Sequence, residues 1–411
     1  MVERSPLPPA AADWVRVPFP LDPSPQPADQ APMTRPLTGL KIIELARILA
    51  GPWCGQLLAD LGAEVIKVER PGAGDDTRHW GPPFLTSPQG DNLDAAYYHA
   101  ANRGKRALAI DIATTEGQAQ VRELVKDADV VIENYKVGGL AKYGLDHASL
   151  SAINPRLITC SITGFGQTGP YAHRAGYDFI IQGMGGIMSM TGEPDGPPQK
   201  TGIAYADIFT GVYSAVAILA ALRQRDATGP ESYRGAHIDM ALLDTQVAVL
   251  ANQALNWMAS GVVPHRMGNG HANLAPYQAF TCADGELIVA VGNDGQFAKL
   301  CAVLGLPLAT DPRFATNPER VRNRAALIAA LTAAIVQWRK ADLYEALEAA
   351  GVPAGPINTV AEVFADPQVI ARGLRIERDG LPGVASPIVI DGARMVSDQP
   401  SPRRPRAEVK P

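Results

Sequence analysis

Apolar positions along this chain recur with two periods, and the switches between them mark out the elements. Leu40–Leu45 (LKIIEL) is a short apolar run rich in β-branched residues and predicts a strand. It runs into Ala50-Gly51-Pro52, where Pro52 suits the first turn of a helix, and Trp53–Leu61 continues with helical spacing until Gly62. Ala63–Val68 (AEVIKV) predicts the next strand, so the chain opens with a β-loop-α-β unit, which favours parallel pairing and a right-handed crossover. Strands at Arg106–Ile112, Asp129–Ile132 and Arg156–Ile162, with an amphipathic helix at Thr115–Lys126, extend the pattern into an open α/β sheet covered by helices. A long apolar helix follows at 207–224, then a polar glycine-rich loop at 226–236, and His237–Ser260 reads as largely helical. Beyond 264 the texture changes, with a strand at Glu286–Val291 and helices at about 295–304 and 323–338.

These shifts divide the chain into a Pro-rich arm (1–36), a large α/β domain (37–240), a helical linker (241–263), a smaller α+β domain (264–340), a return linker (341–355) and a final stretch (356–411) that rejoins the large domain. The arm lacks the apolar core of a signal peptide, and Met33 offers a second start just before the regular pattern. Pro400–Pro411 reads as a loose tail, and the apolar stretches read as too short or too interrupted to span a bilayer.

Composition narrows the function. A net charge of -5 gives no electrostatic reason to expect a nucleic-acid partner, so an anionic ligand must be held by local basic residues. Cys54, Cys160, Cys282 and Cys301 are widely spaced with no CxxC pair, which leaves a metal site without support and points to a reducing, cytoplasmic setting. There is no GxGxxG for a dinucleotide and no GxSxG elbow for a hydrolase.

Several segments, in order and spacing, resemble the family III CoA-transferases, which include the α-methylacyl-CoA racemases. They are Leu49-Ala-Gly-Pro52, Leu58–Glu69 (LADLGAEVIKVE), Asn102-Arg-Gly-Lys-Arg106, Asp129–Asn134 (DVVIEN), Gly164–Pro170, Gly176-Tyr-Asp178, Tyr205-Ala-Asp207 and Arg266–His271. The resemblance runs from Pro36 to about residue 395. It implies a Rossmann-like large domain joined to a small domain by two linkers, as a ring-shaped subunit interlocked with a second copy in a homodimer. It also implies acyl-CoA and a small carboxylic acid as substrates, with no tightly bound cofactor.

On its own, Asp207 reads as a helix cap, since Asp is a favoured N-cap residue and its anion suits a helix start. The resemblance makes it the covalent nucleophile. It also separates two activities at one position, because the racemase branch carries a histidine where this chain has Tyr177. A phenol titrating near 10 is a poor base at neutral pH, so transfer is favoured over racemisation, and Tyr177 is read as a half-buried pocket residue with Asp178 orienting the thioester. A racemase-like isomerase and a non-catalytic CoA-binding protein are the competing readings.

Coenzyme A carries phosphates, which call for helix N-termini and basic side chains. The resemblance places CoA contacts at Leu49, Ala50, Arg70, Asn134 and Lys142, with Lys105 adding positive charge. Gly268 and Gly270 are read as hinges of a mobile cover carrying His271, which serves as a base or as a structural hydrogen-bonding residue.

Overall fold

A computed structural model describes residues 35–87, 90–229 and 232–405, so residues 1–34, with most of the arm and Met33, lie outside the described residues. Six strands form a parallel sheet: β1 (Lys41–Glu44), β2 (Glu64–Glu69), β3 (Lys105–Ala109), β4 (Val130–Glu133), β5 (Ile158–Thr163) and β6 (Ala236–Ala241). Their order is β3-β2-β1-β4-β5-β6, the doubly wound arrangement, in which ligands bind beyond the strand ends where the winding reverses, here between β1 and β4. Both faces are covered, which is why the strands read as continuous apolar runs. Ile42, Val130 and Ile158 face one core with helices α1 (Ala50–Asp60) and, later in the chain, Tyr205–Thr228. Ile43, Ile66 and Val131 face the other, with α2 (Thr115–Lys126) and α3 (His147–Ile153).

α2 begins where its pattern says it should, because the Thr114 side chain accepts the Gly117 N–H. Two further helices build the site, α4 (Asp178–Met184) and α5 (Tyr205–Thr228). α5 is 24 residues long and, by length and composition alone, apolar enough to cross a bilayer, contrary to the sequence expectation. In this fold Ala206, Thr210, Ser214 and Ile218 on its inner face are buried against α1 and the sheet.

The segment read as largely helical from His237 is a strand before it is a helix. Ala236–Ala241 pairs with β5 as the sheet's edge, and α6 (Leu242–Ala248) and α7 (Ala251–Ser260) follow. His237 and Asp239 project from one face and Ile238 and Met240 from the other, the alternation of a half-buried strand, which the helical reading of the longer segment passed over.

A second, separate core gathers Phe280, Leu287, Val289, Phe297, Leu327 and Leu347. It is built on an antiparallel sheet of β7 (Tyr277–Cys282), β8 (Gly285–Ala290) and β9 (Ala354–Pro356), packed by α8 (Asp294–Leu304), α9 (Arg324–Ile335) and α10 (Lys340–Ala350). The return linker expected at 341–355 is therefore integral to this core: Leu343 and Leu347 are fully buried and β9 closes the sheet. The remaining chain comes back to the large sheet. Arg103 donates to the Val384 carbonyl at 2.8 Å, and the Ser397 N–H to Asp60 at 2.8 Å. The tail read as loose is packed as far as it is described, since Ser401 is buried against His99 and the Pro402 carbonyl meets Arg78.

Candidate active site

Asp207 lies in the first turn of α5, behind the cap position held by Ala204, so the simple N-cap reading does not hold. The cap is supplied from elsewhere. Asp178, at the start of α4, accepts the backbone N–H of Ala206 at 2.8 Å and that of Asp207 at 3.3 Å. Its other oxygen accepts from Gln182 at 2.7 Å, and Gln182 in turn accepts the Thr201 N–H at 2.9 Å.

This changes the electrostatics. A carboxylate at a helix start is ordinarily favoured by about 0.3–1 kcal/mol through free N–H groups. Here Asp178 takes those groups and adds a like charge. Burial first, and Asp178 second, push the Asp207 carboxyl up to about 7. The expectation of an anion stabilised by its helix is thus reversed: among the described residues no hydrogen bond reaches the Asp207 carboxylate, which is half-buried and basic for its type. Tyr97 is a neighbour that pattern reading missed. Burial and then Asp207 and Asp178 push its phenol up to about 12, and its ring meets Trp80 edge-on at 5.3 Å. It sits in a four-residue helix, Ala96–His99, too short to show any period.

α5 approaches α1 unusually closely. A Cβ on Gly211 would lie 2.7 Å from the Ala50 carbonyl oxygen, so only glycine permits the contact. One turn from Asp207, this brings α5 against the start of α1. That start has no side-chain cap, and with Pro52 lacking an N–H and the Trp53 N–H bonded to the Leu49 carbonyl, the first-turn donors left are those of Ala50 and Gly51. Leu49 and Ala50 are buried there, and neither lines the cavity at the strand ends.

The strand ends open into a cavity of about 260 Å³, lined by Arg47, Arg70, Asp75, Ile112, Tyr135 and Tyr143. Arg70 is exposed on its wall. Lys142 is exposed too, its ammonium 4.7 Å from the centre of the Tyr143 ring. Two other expected contacts are otherwise engaged. Lys105 is fully buried, donating to Glu44, to the Pro52 carbonyl at 2.8 Å and to Asn102 at 2.9 Å, so it offers no charge to the cavity. The Asn134 side chain clamps Arg47, accepting its N–H at 2.9 Å and donating to its carbonyl at 2.6 Å.

Tyr177 is 62% exposed rather than half-buried. The Arg266–His271 loop rests on residues 189–193, with the Gly268 N–H donating to the Gly192 carbonyl at 3.0 Å and Arg266 reaching the Glu193 carbonyl. Only Gly268 of its two hinge glycines is left-handed, at φ 55°; Gly270 is not. His271 is engaged structurally, its Nδ1 accepting the Asn273 N–H at 3.0 Å and its carbonyl accepting from Arg324 at 2.7 Å. Among the described residues no hydrogen bond joins this loop to Asp207.

The cavity at the strand ends, with Arg47 and Arg70 in its wall, suits an anionic ligand, while Asp207, an unpaired and basic carboxylate, lies on α5 outside the cavity lining. The chain matches the family described as CoA-transferase family III over residues 37–405. It is 58% identical over 374 residues to a succinate–glutarate CoA-transferase of Agrobacterium fabrum, covering 90% of this chain and 92% of the relative. It is 43% identical over 346 residues to the human succinyl-CoA:glutarate CoA-transferase, covering 84% and 77% respectively. A crystal structure of a CaiB/BaiF family protein from Brucella suis superposes with a TM-score of 0.80 at 61% identity, covering 90% of this chain and 97% of that one. The chain belongs to the family III CoA-transferases and is an enzyme that transfers coenzyme A from an acyl-CoA to a carboxylic acid.

A nucleophilic role for Asp207 would require its anion. For the free enzyme, kcat/KM is expected to rise about tenfold per pH unit below 7 and to level off above it. Initial rates from pH 5 to 9 check this. Asp178→Asn, which removes the like charge, is expected to move the inflection toward lower pH, and an inflection that stays put in that variant counts against the assignment.

Proposed function

We propose that this enzyme exchanges coenzyme A between small dicarboxylic acids, with succinyl-CoA as donor and glutarate as acceptor, by covalent catalysis at Asp207. The observation that carries the reading is the Asp207 carboxylate: unpaired, raised to about 7, and on a helix in main-chain contact with the loop Leu49–Ala50. The names of the relatives from Agrobacterium and human support the choice of acids.

In the proposed sequence an Asp207 oxygen attacks the donor thioester carbonyl and expels CoA thiolate, giving a mixed anhydride. The thiolate attacks the aspartyl carbonyl, releasing the donor acid as its carboxylate and leaving an aspartyl-CoA thioester. The acceptor carboxylate attacks that thioester and expels the thiolate again. The thiolate then attacks the acceptor acyl carbonyl, and Asp207 is freed as carboxylate. Each step exchanges one carboxyl or thiolate for another, so no external base is consumed. An elevated carboxyl pKa makes Asp207 the more nucleophilic partner in the first step. Its lack of a hydrogen bond leaves both oxygens unencumbered. Tyr177, without the basicity of a histidine, supports transfer over α-proton exchange.

The family's homodimer is part of this reading. Phe179, Ile180 and Met184 on α4 and Tyr213 and Val216 on α5 are exposed apolar side chains flanking the Asp207 turn, a surface suited to a second copy.

The test is to mix the protein with succinyl-CoA and glutarate and follow glutaryl-CoA by chromatography and mass spectrometry. Stoichiometric conversion is expected. Release of free CoA without glutaryl-CoA would show a hydrolase, and deuterium uptake at the α-carbon without transfer would show an isomerase.

A further inference from the structure

The backbone between β1 and α1 is held residue by residue. Lys67 donates to the Ala46 carbonyl at 2.9 Å, Asn134 takes both main-chain groups of Arg47, and Asp75 receives the Ile48 N–H at 3.3 and 3.4 Å from its two oxygens. These clamps come from three separate places: β2, the end of β4, and the loop after β2. What they hold is unfavourable. Ile48 has φ 73°, a left-handed conformation that is a true outlier for a β-branched residue. Strain of this kind persists only where its surroundings over-determine it, and it concentrates where a ligand is gripped.

Asp75 is the member built for the task. It is buried, its carboxylate pairs with the Lys67 ammonium at 2.9 Å, and it also accepts the Thr77 N–H at 3.0 Å and the Thr77 hydroxyl at 2.8 Å. Its own N–H donates to Glu69 at 2.9 Å, which is locked in turn by two 2.7 Å contacts from Arg78. Against the upward push of burial, Lys67 and Thr77 keep the Asp75 carboxyl below its ordinary range, so it stays an anion. A neutral side chain in its place would receive the Ile48 N–H more weakly, and the strained residue would be free to relax.

We propose that Asp75 is a positioning residue for coenzyme A: through the Ile48 N–H it holds residue 48 left-handed and so sets the main-chain direction of Leu49 and Ala50 at the start of α1. This inference rests on the functional reading above and on the CoA contact at Leu49 and Ala50 that the family resemblance implies. It adds a specific device: a polar network that spends its hydrogen bonds on main-chain geometry rather than on the substrate.

The test is a double-substitution cycle read by calorimetric titration with free coenzyme A and by steady-state kinetics with succinyl-CoA and glutarate. Asp75→Asn is expected to weaken CoA binding and raise KM for the CoA ester by about tenfold, with kcat falling less than about threefold. Adding Ile48→Gly, which makes the left-handed conformation free of strain, is expected to return the CoA dissociation constant to within about threefold of the parent. A purely structural Asp75 predicts no rescue by glycine at 48. If Asp75→Asn does not fold, Thr77→Val, which removes one hydroxyl from the same carboxylate, is expected to show a smaller loss with the same rescue. CoA binding that is unchanged in the single variant, or lost and not rescued in the double, overturns the proposal. A parent protein that binds no CoA overturns the functional reading itself, which the same titration reveals before any variant is made.

Discussion

Replacing Asp207 with asparagine is expected to lower acyl-CoA turnover by about 10⁴-fold, with the protein still folded and still able to bind coenzyme A. The amide is nearly isosteric with the carboxylate but cannot form the anhydride. Mass spectrometry of the parent, quenched after mixing with succinyl-CoA, is expected to show a CoA-sized addition on the peptide containing Asp207, and the variant none. The same substitution has a thermodynamic signature. The folded carboxyl titrates at about 7, well above the ordinary aspartate value of about 3.9, so the fold binds this proton more tightly than the unfolded chain does. The stability tied to the protonated group is complete below pH 4 and is lost as pH rises through 7. Asp207→Asn should therefore raise the thermal midpoint at pH 8 and leave it nearly unchanged at pH 4. A midpoint that falls at pH 8 would show the carboxylate to be structurally paired, against the geometry described.

The largest stability effect is expected at Glu44. This fully buried carboxylate is shared by two buried ammonium groups, Lys67 at 3.0 Å and Lys105 at 2.8 Å. Glu44→Gln leaves both cations in the interior with their common counter-charge gone, a change expected to cost about 3–5 kcal/mol. The pH dependence identifies the cause. Burial, opposed by Glu44 and reinforced by Lys67, brings the Lys105 ammonium down to about 8. Without Glu44 it falls further. Between that value and the unfolded value of about 10.4, the unfolded chain binds more protons, so stability rises with pH. The deficit of Glu44→Gln relative to the parent is expected to shrink between pH 7 and pH 9, measured by thermal melts in parallel buffers. A deficit independent of pH would point to packing. Gly55 belongs to the same arrangement, since a Cβ there would lie 1.9 Å from a Glu44 oxygen.

What was legible in the sequence depended on whether the cause lay nearby along the chain. The strands from β1 to β5 and helix α2 declare themselves because apolar periodicity, Pro52 and the Thr114 cap are local signals. β6 does not, because the alternation of His237 and Asp239 with Ile238 and Met240 spans only six residues and runs directly into the helical spacing of α6. Within the site, Asp207 and the cavity residue Arg70 stood out through family resemblance. The state of Asp207 did not, because it is set by Asp178, 29 positions earlier, taking the helix N–H groups. Lys105, in a run of basic residues, reads as a surface charge, and only the fold brings Glu44, 61 positions earlier, against it. Asn134 was picked out as a ligand contact, and its side chain bonds both main-chain groups of Arg47, 87 positions earlier, which no local pattern could show.

The meeting of α5 and α1 joins a backbone oxygen to a residue without a side chain. The spacing between the turn bearing Asp207 and the loop beside it is thus set by polypeptide geometry rather than by side-chain size, so that any side chain at position 211 would have to push the two apart.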